Sequence, residues 1–202
     1  IVGTACHARS FGRPSISIAS SSTRAAGSFT SRTRALPMIG LSVGGRLGWT
    51  VAHSHSGFNA LRHHLLPHFQ ARGPLYAEVK GELVTARKIL DSVLDGSIDV
   101  GPLDAYWHAL IALHRPELTH GIRVLESTDL APMPAFVAHP SMAEDDRDRL
   151  RAACAAAHLR PWFPPLGQKL LLARLAPMTL ADYAPTRAWE TIALAKNYPL
   201  PA

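Results

Sequence analysis

Arg46–Leu66 has the sequence RLGWTVAHSHSGFNALRHHLL, which passes from a strand pattern through a polar turn to a helical one. Leu47, Trp49 and Val51 alternate with smaller or polar neighbours, which is the two-residue period of a strand. Phe58, Leu61 and Leu65 then recur at helical spacing. Between the two lies His53-Ser54-His55-Ser56-Gly57. A strand, a hydroxyl-rich turn and a helix start create a concavity lined with backbone N–H groups, and the helix dipole adds partial positive charge there. The natural occupant is a small oxyanion, with Ser54 and Ser56 as neutral donors beside the amides.

The same pattern repeats outward. Pro67 and then Gly73-Pro74 end the first helix, and Leu75–Val79 alternates as a second strand. Gly81 begins a turn, and Thr85 caps a helix whose apolar face is Ala86, Ile89, Leu90, Val93 and Leu94, stopped by Gly96. Ile98–Val100 is a third strand. Gly101-Pro102 turns the chain, and Asp104 stands at the start of a helix carrying Tyr106, Trp107, Leu110 and Ile111. Helical period turns one of Tyr106 and Trp107 to the core and leaves the other for the cleft. Ile122–Leu125 and Ala135–Ala138 read as the fourth and fifth strands.

Strands alternating with helices predict an α/β lobe with a largely parallel sheet flanked by helices. Ligands of such sheets bind outside the carboxyl ends of the strands, where three turns are expected to converge: Ser54–Gly57, Gly81–Thr85 and Gly101–Asp104. The flanks differ. From Ala8 to Arg34 the texture is Ser, Thr and Arg, which cannot bury much surface, and Pro37, Gly40, Gly44 and Gly45 punctuate a linker. The expected organisation is a poorly structured remnant or linker over 1–41, a ligand-binding lobe over 42–138, and a helical return segment over 139–202. In the last, Ser141–Glu144 and Thr179–Asp182 have capping-box spacing, the first before a helix with Leu150, Ala153, Cys154 and Ala157 on one face.

The net charge of +6 is carried by scattered residues with no long basic run, which argues against a nucleic-acid surface. No apolar stretch reaches bilayer-spanning length, so no membrane insertion is expected. Ile1 is not followed by the pattern of a signal peptide. Cys6 and Cys154 form no metal motif. His53, His55, His63, His64 and His68 crowd one region, but Pro67 interrupts the His64/His68 pair and no acidic partner is spaced nearby, so neither metal nor cofactor is expected. No P-loop and no nucleophile–base pair is present, and His55 is the one plausible base for an enzyme reading.

In order and spacing, SHSGFNA (54–60), DGSIDV (95–100) and GPLDAYWHAL (101–110), followed by IRVLEST (122–128) and VAHP (137–140), resemble the periplasmic phosphate/phosphite/phosphonate-binding proteins of ABC transporters. The resemblance covers about 45–158 and implies the type II periplasmic binding fold, with two α/β lobes that close on the ligand. It implies Ser54, Ser56 and Gly57 as oxyanion donors with His55 between them, and Asp104 as acceptor from a protonated oxygen or an amine. Members often carry a Gly-Ser-His type turn after the second strand; here Gly81–Thr85 stands in that place, with Thr85 as the replacing donor. The implied ligand set is Ser54, His55, Ser56, Gly57, Thr85, Asp104 and Tyr106. The implied function is binding of a small oxyanion without chemistry in the periplasm, with an ABC permease and its ATPase as partners. Against that pattern the first lobe reads as incomplete, an N-terminal truncation. Two other readings stay open: an enzyme on the same two-lobed fold, acting on something like a thiamine precursor, and an inactive truncated homologue.

Overall fold

A computed structural model of the chain describes residues 3–8, 16–20 and 44–202. The chain divides into two compact units, Pro14–Asp129 with Ile192–Ala202, and Ile1–Arg13 with Leu130–Thr191.

The first of these carries the expected α/β layer. Its strands are β2 (Ile16–Ser20), β3 (Arg46–Gly48), β4 (Glu78–Lys80), β5 (Val100–Leu103) and β6 (Ile122–Ser127), in the order β4-β3-β5-β2-β6. β3 pairs in parallel with both β4 and β5, while β2 is antiparallel to β5 and β6. Four of the five strands therefore run one way, and the sheet is largely parallel. Helix α1 (Ala60–Arg72) follows β3, α2 (Ala86–Leu94) follows β4, and α3 (Ala105–His114) follows β5.

Strand alternation explains the two cores. Leu47 and Val100, opposite each other in register, pack with Phe58, Leu61, Leu65 and Leu66 of the α1 segment. Gly48 and Gly101, next along each strand, instead face Ile98 and Ile89, which belong with Leu90, Val93, Leu103 and Ile111 in the second core. Burying helices on both faces is what a parallel sheet requires.

The D-G-x-x-D-V motif proves to be a staple. Asp95 accepts from the Ser97 amide at 2.8 Å. Asp99 accepts from the backbone N–H of Arg46 at 2.7 Å and from its guanidinium at 3.0 and 2.9 Å, while its own N–H donates to the Arg46 carbonyl at 2.8 Å. Those bonds from Arg46 hold the Asp99 carboxyl below the usual carboxylate range, against a smaller opposing push from burial. A lowered folded-state pKa adds stability above the unfolded value, near pH 4, and that stability is lost as pH falls through the folded value. Asp99→Asn is therefore expected to be less stable than the parent at pH 7 and to converge with it in urea midpoint once pH has fallen through the lowered folded-state value of Asp99; parallel midpoints across pH would contradict this.

The other unit contains a three-stranded antiparallel sheet of order β7-β1-β8, built from β1 (Gly3–Ala8), β7 (Ala135–Val137) and β8 (Leu172–Met178). It also holds α4 (Glu144–Ala156), α5 (Phe163–Leu170) and the start of α6 (Ala184–Ala195).

Several expectations are corrected. Residues 1–41 are not all remnant: β1 and β2 lie inside that range and each sits between two other strands of its sheet. The backbone bonds of neighbouring strands stabilise a Ser-rich segment that local composition does not favour. The remainder of the stretch read as loose lies outside the described residues. The lobe boundary falls at Asp129 rather than 138, because β7 pairs with β1 and not with the parallel sheet. The return segment is not purely helical, since β8 pairs along β1. Pro67 sits inside α1, which runs on to Arg72 and ends at Gly73, where φ is +77°. The capping box at Ser141 does not form: Ala143 takes the cap position of α4, and the Ser141 hydroxyl meets His139 Nδ1 at 2.7 Å. The one at Thr179 and Asp182 does form.

Candidate functional site

β4, β3 and β5 are neighbours running the same way, so their carboxyl ends at Lys80, Gly48 and Leu103 share one edge of the sheet. The segments beyond them are joined there. Leu83 N–H donates to the Trp49 carbonyl and Val84 N–H to the Thr50 carbonyl, both at 3.1 Å. β5 packs against the helical turn that follows β3. The Ser54–Gly57 and Gly81–Thr85 turns thus meet beside β5, whereas the third expected turn is corrected: Gly101 and Pro102 lie within β5, paired with β2, and Asp104 follows directly as the cap of α3.

Each turn ends in a capped helix start. His55–Asn59 is a π-helical turn that runs into α1, a rare geometry enriched at functional sites. Ser54 precedes it, and its Oγ accepts the Gly57 N–H at 3.1 Å. Thr85 Oγ1 accepts the Lys88 N–H at 3.1 Å, and Asp104 Oδ1 accepts the Trp107 N–H at 2.8 Å. Ser54, Thr85 and Asp104 are all N-caps, the commonest role of such residues. Capping does not exhaust a serine, because a hydroxyl that accepts one hydrogen bond still has a proton to donate. The half-buried Ser56 hydroxyl has no hydrogen-bond partner among the described residues.

Gly57 is required by space rather than by φ. A Cβ there would lie 1.9 Å from Thr50 Oγ1, and Thr50 is 6% exposed. The turn closes onto the strand end through Thr50 N–H donating to the Gly57 carbonyl at 3.2 Å. Gly81 is likewise pressed on the Trp49 indole, 2.2 Å from where its Cβ would be. Val84, a β-branched residue at φ +67°, completes this rim under strain of about 1–3 kcal/mol.

Trp107 packs against the second core, which leaves Tyr106, half-buried, on another side of α3. Burial pushes the His55 imidazole below its ordinary pKa, so at neutral pH it is uncharged. Thr85 is exposed at the rim.

His63 and His64 are engaged elsewhere. His63 Nε2 lies 3.4 Å from Asp129 and His64 Nε2 3.4 Å from Glu126. Acidic partners therefore exist, contributed by β6 and the residues after it, which spacing within α1 could not reveal. Among the described residues no group of three His, Cys, Asp or Glu side chains is placed to hold a metal, and no helix is long and apolar enough to cross a membrane. Two residues in contact with this turn were not singled out from sequence, Asn59 and Arg62. Their signal was the three-residue spacing that puts them together on one helical face.

A doubly covered sheet with capped helix starts meeting at its carboxyl edge, in a chain that also carries a second unit of strands and helices, fits the architecture of the type II periplasmic binding proteins. The chain belongs to the ABC-transporter phosphonate periplasmic substrate-binding protein family, whose model matches residues 31–183. Solved structures agree on the fold. A binding-protein component of a phosphonate ABC transporter from Pseudomonas aeruginosa matches with TM-score 0.73 at 14% identity, over 97% of this chain and 63% of its own. PhnD1 from Prochlorococcus marinus, in complex with methylphosphonate, matches with TM-score 0.68 at 13% identity, over 98% of this chain and 72% of its own. A Xanthomonas citri protein bound to ATP matches with TM-score 0.61 at 16% identity, over 96% and 71%. The chain thus spans less than two thirds of the first of these proteins. No curated protein matches it in sequence.

Proposed function

We propose that this chain binds a small phosphorus oxyanion of the phosphonate, phosphite or phosphate class at the carboxyl edge of β3, β4 and β5. It binds without chemistry, as the solute-binding component that meets an ABC permease and its ATPase in the periplasm. The observation that carries this is the meeting of three capped helix starts on three adjacent parallel strands, each bringing N–H groups and dipole to one edge. Ser54 and Ser56 donate hydroxyl protons, Gly57 lets the turn lie close to Thr50, neutral His55 donates from its ring, and Thr85 and Tyr106 complete the rim. Hydrogen bonds to an anion from such donors are the strong kind. The methylphosphonate bound by PhnD1 supports this ligand class through the shared fold and family.

A thermal-shift series with methylphosphonate, phosphite, phosphate, sulfate and ATP tests the reading. The expected result is stabilisation by the phosphorus oxyanions, which reaches about 2.7 kcal/mol at a hundred times Kd. No shift from any of them in a folded chain would refute it, and product analysis after incubation would expose turnover.

Asp104 supplies the selective element, a carboxylate that accepts from a protonated ligand oxygen. Asparagine caps helices about as well as aspartate, so Asp104→Asn is expected to leave stability within about 0.5 kcal/mol of the parent. In the parent, phosphate affinity falls as pH rises through the ligand's second ionisation. In Asp104→Asn that fall is expected to disappear, and calorimetry at two pH values on either side reads the difference. A parallel fall in both proteins removes Asp104 from the site.

A further inference from the structure

Resting on that assignment of the site, we propose that Arg62 and Asn59 are positioning residues that fix the His55 imidazole as the Nε2–H tautomer, so that the ring meets the ligand as a neutral donor. Arg62 is 3% exposed. Its Nη1 donates to the Pro199 carbonyl at 3.0 Å, and its guanidinium lies 5.0 Å above the Phe58 ring. So held, Nη2 donates to Asn59 Oδ1 at 3.0 Å. A guanidinium only donates, so this contact decides which end of the Asn59 amide is oxygen. The amide nitrogen then faces His55, and Nδ2 lies 3.4 Å from His55 Nδ1. An amide NH₂ also only donates, which makes Nδ1 the acceptor and leaves the ring proton on Nε2.

The arrangement carries a consequence for selectivity. A neutral N–H recognises an oxyanion without adding a full charge, in keeping with the hydroxyl and amide donors around it. The C-terminal segment enters the same account, because Pro199 anchors the arginine from which the orientation propagates.

Two-bond nitrogen–proton correlation spectra of the full chain, with the His55 signals identified by their loss in His55→Gln, read the tautomer without any ligand. The parent and Arg62→Lys are expected to show Nε2–H, since lysine also only donates. Asn59→Asp presents an acceptor to Nδ1 while keeping Arg62 paired, and is expected to move the proton to Nδ1 or charge the ring. Arg62→Met releases the amide and is expected to give exchanging tautomers. A parent spectrum showing Nδ1–H, or an unchanged tautomer in Asn59→Asp, overturns the proposal. Methylphosphonate affinity should then drop about ten- to a hundredfold in Asn59→Asp and stay near the parent value in Arg62→Lys. Correct tautomers with no methylphosphonate binding in the parent would instead contradict the proposed function and leave the relay standing.

Discussion

Gly57→Ala is expected to cost more than any other single methyl addition in the α/β unit. Its Cβ would stand 1.9 Å from Thr50 Oγ1, 2.8 Å from Cγ2 and 2.9 Å from Cβ, far inside contact distance. Thr50 is buried at the strand end and cannot swing clear. Overpacking of this kind costs about 1–3 kcal/mol. The displaced turn also lengthens the Thr50–Gly57 backbone bond and the Ser54 cap, which hold the N–H groups toward the sheet edge. The measurement is urea unfolding with methylphosphonate titration: a lower midpoint at unchanged slope, with binding lost. Thr50→Ala in the same chain removes Oγ1 and Cγ2, leaving only the 2.9 Å approach to relieve, and is expected to restore most of both. A Gly57→Ala protein with parental midpoint and affinity would show that the close approach has no consequence.

The second large effect is on affinity. Ser56→Ala removes a half-buried hydroxyl with no hydrogen-bond partner among the described residues, so stability should hold within about 0.5 kcal/mol. Ser54→Ala removes a donor and a helix cap together, at about 1 kcal/mol of stability. A hydrogen bond to a charged group contributes about 1.5–3 kcal/mol, so each serine should account for roughly ten- to a hundredfold in Kd. The double variant should fall about a hundredfold or further, while the far-UV spectrum stays parental. Unchanged affinity in folded Ser56→Ala would take that hydroxyl out of the site.

The parallel core was legible because its signals are local. Leu47 alternates with Gly48, Ile89-Leu90-Val93 recurs at helical spacing, and Thr85, Gly96 and Asp104 punctuate the helices where they stand. The meeting of the Ser54–Gly57 and Gly81–Thr85 turns beside the end of β5 followed, since parallel strands in one sheet present their carboxyl ends together, while Gly101-Pro102 read as a turn and is strand because β2 pairs along it. What was not legible depends on partners distant in the chain. β2 shows only Ile16 and Ile18 in a Ser-rich setting, yet lies between β5 and β6. β8 carries Pro177 and no clean alternation, and β1 lends it a register. Ala135–Val137 reads as a strand in any context, but the sequence contains nothing that says which sheet it joins. At the site, the caps were visible and the Arg62–Asn59–His55 orientation was not, because it hangs on the Pro199 carbonyl at the far end of the chain.

In the proposed function the turn between β3 and α1 receives the anion. The decisive experiment follows backbone amide shifts of the full chain during a methylphosphonate titration. Saturable shifts are expected, centred on His55, Ser56, Gly57 and Phe58, with smaller ones at Thr85 and Asp104. A folded chain whose shifts saturate elsewhere, or that shows none, would contradict it.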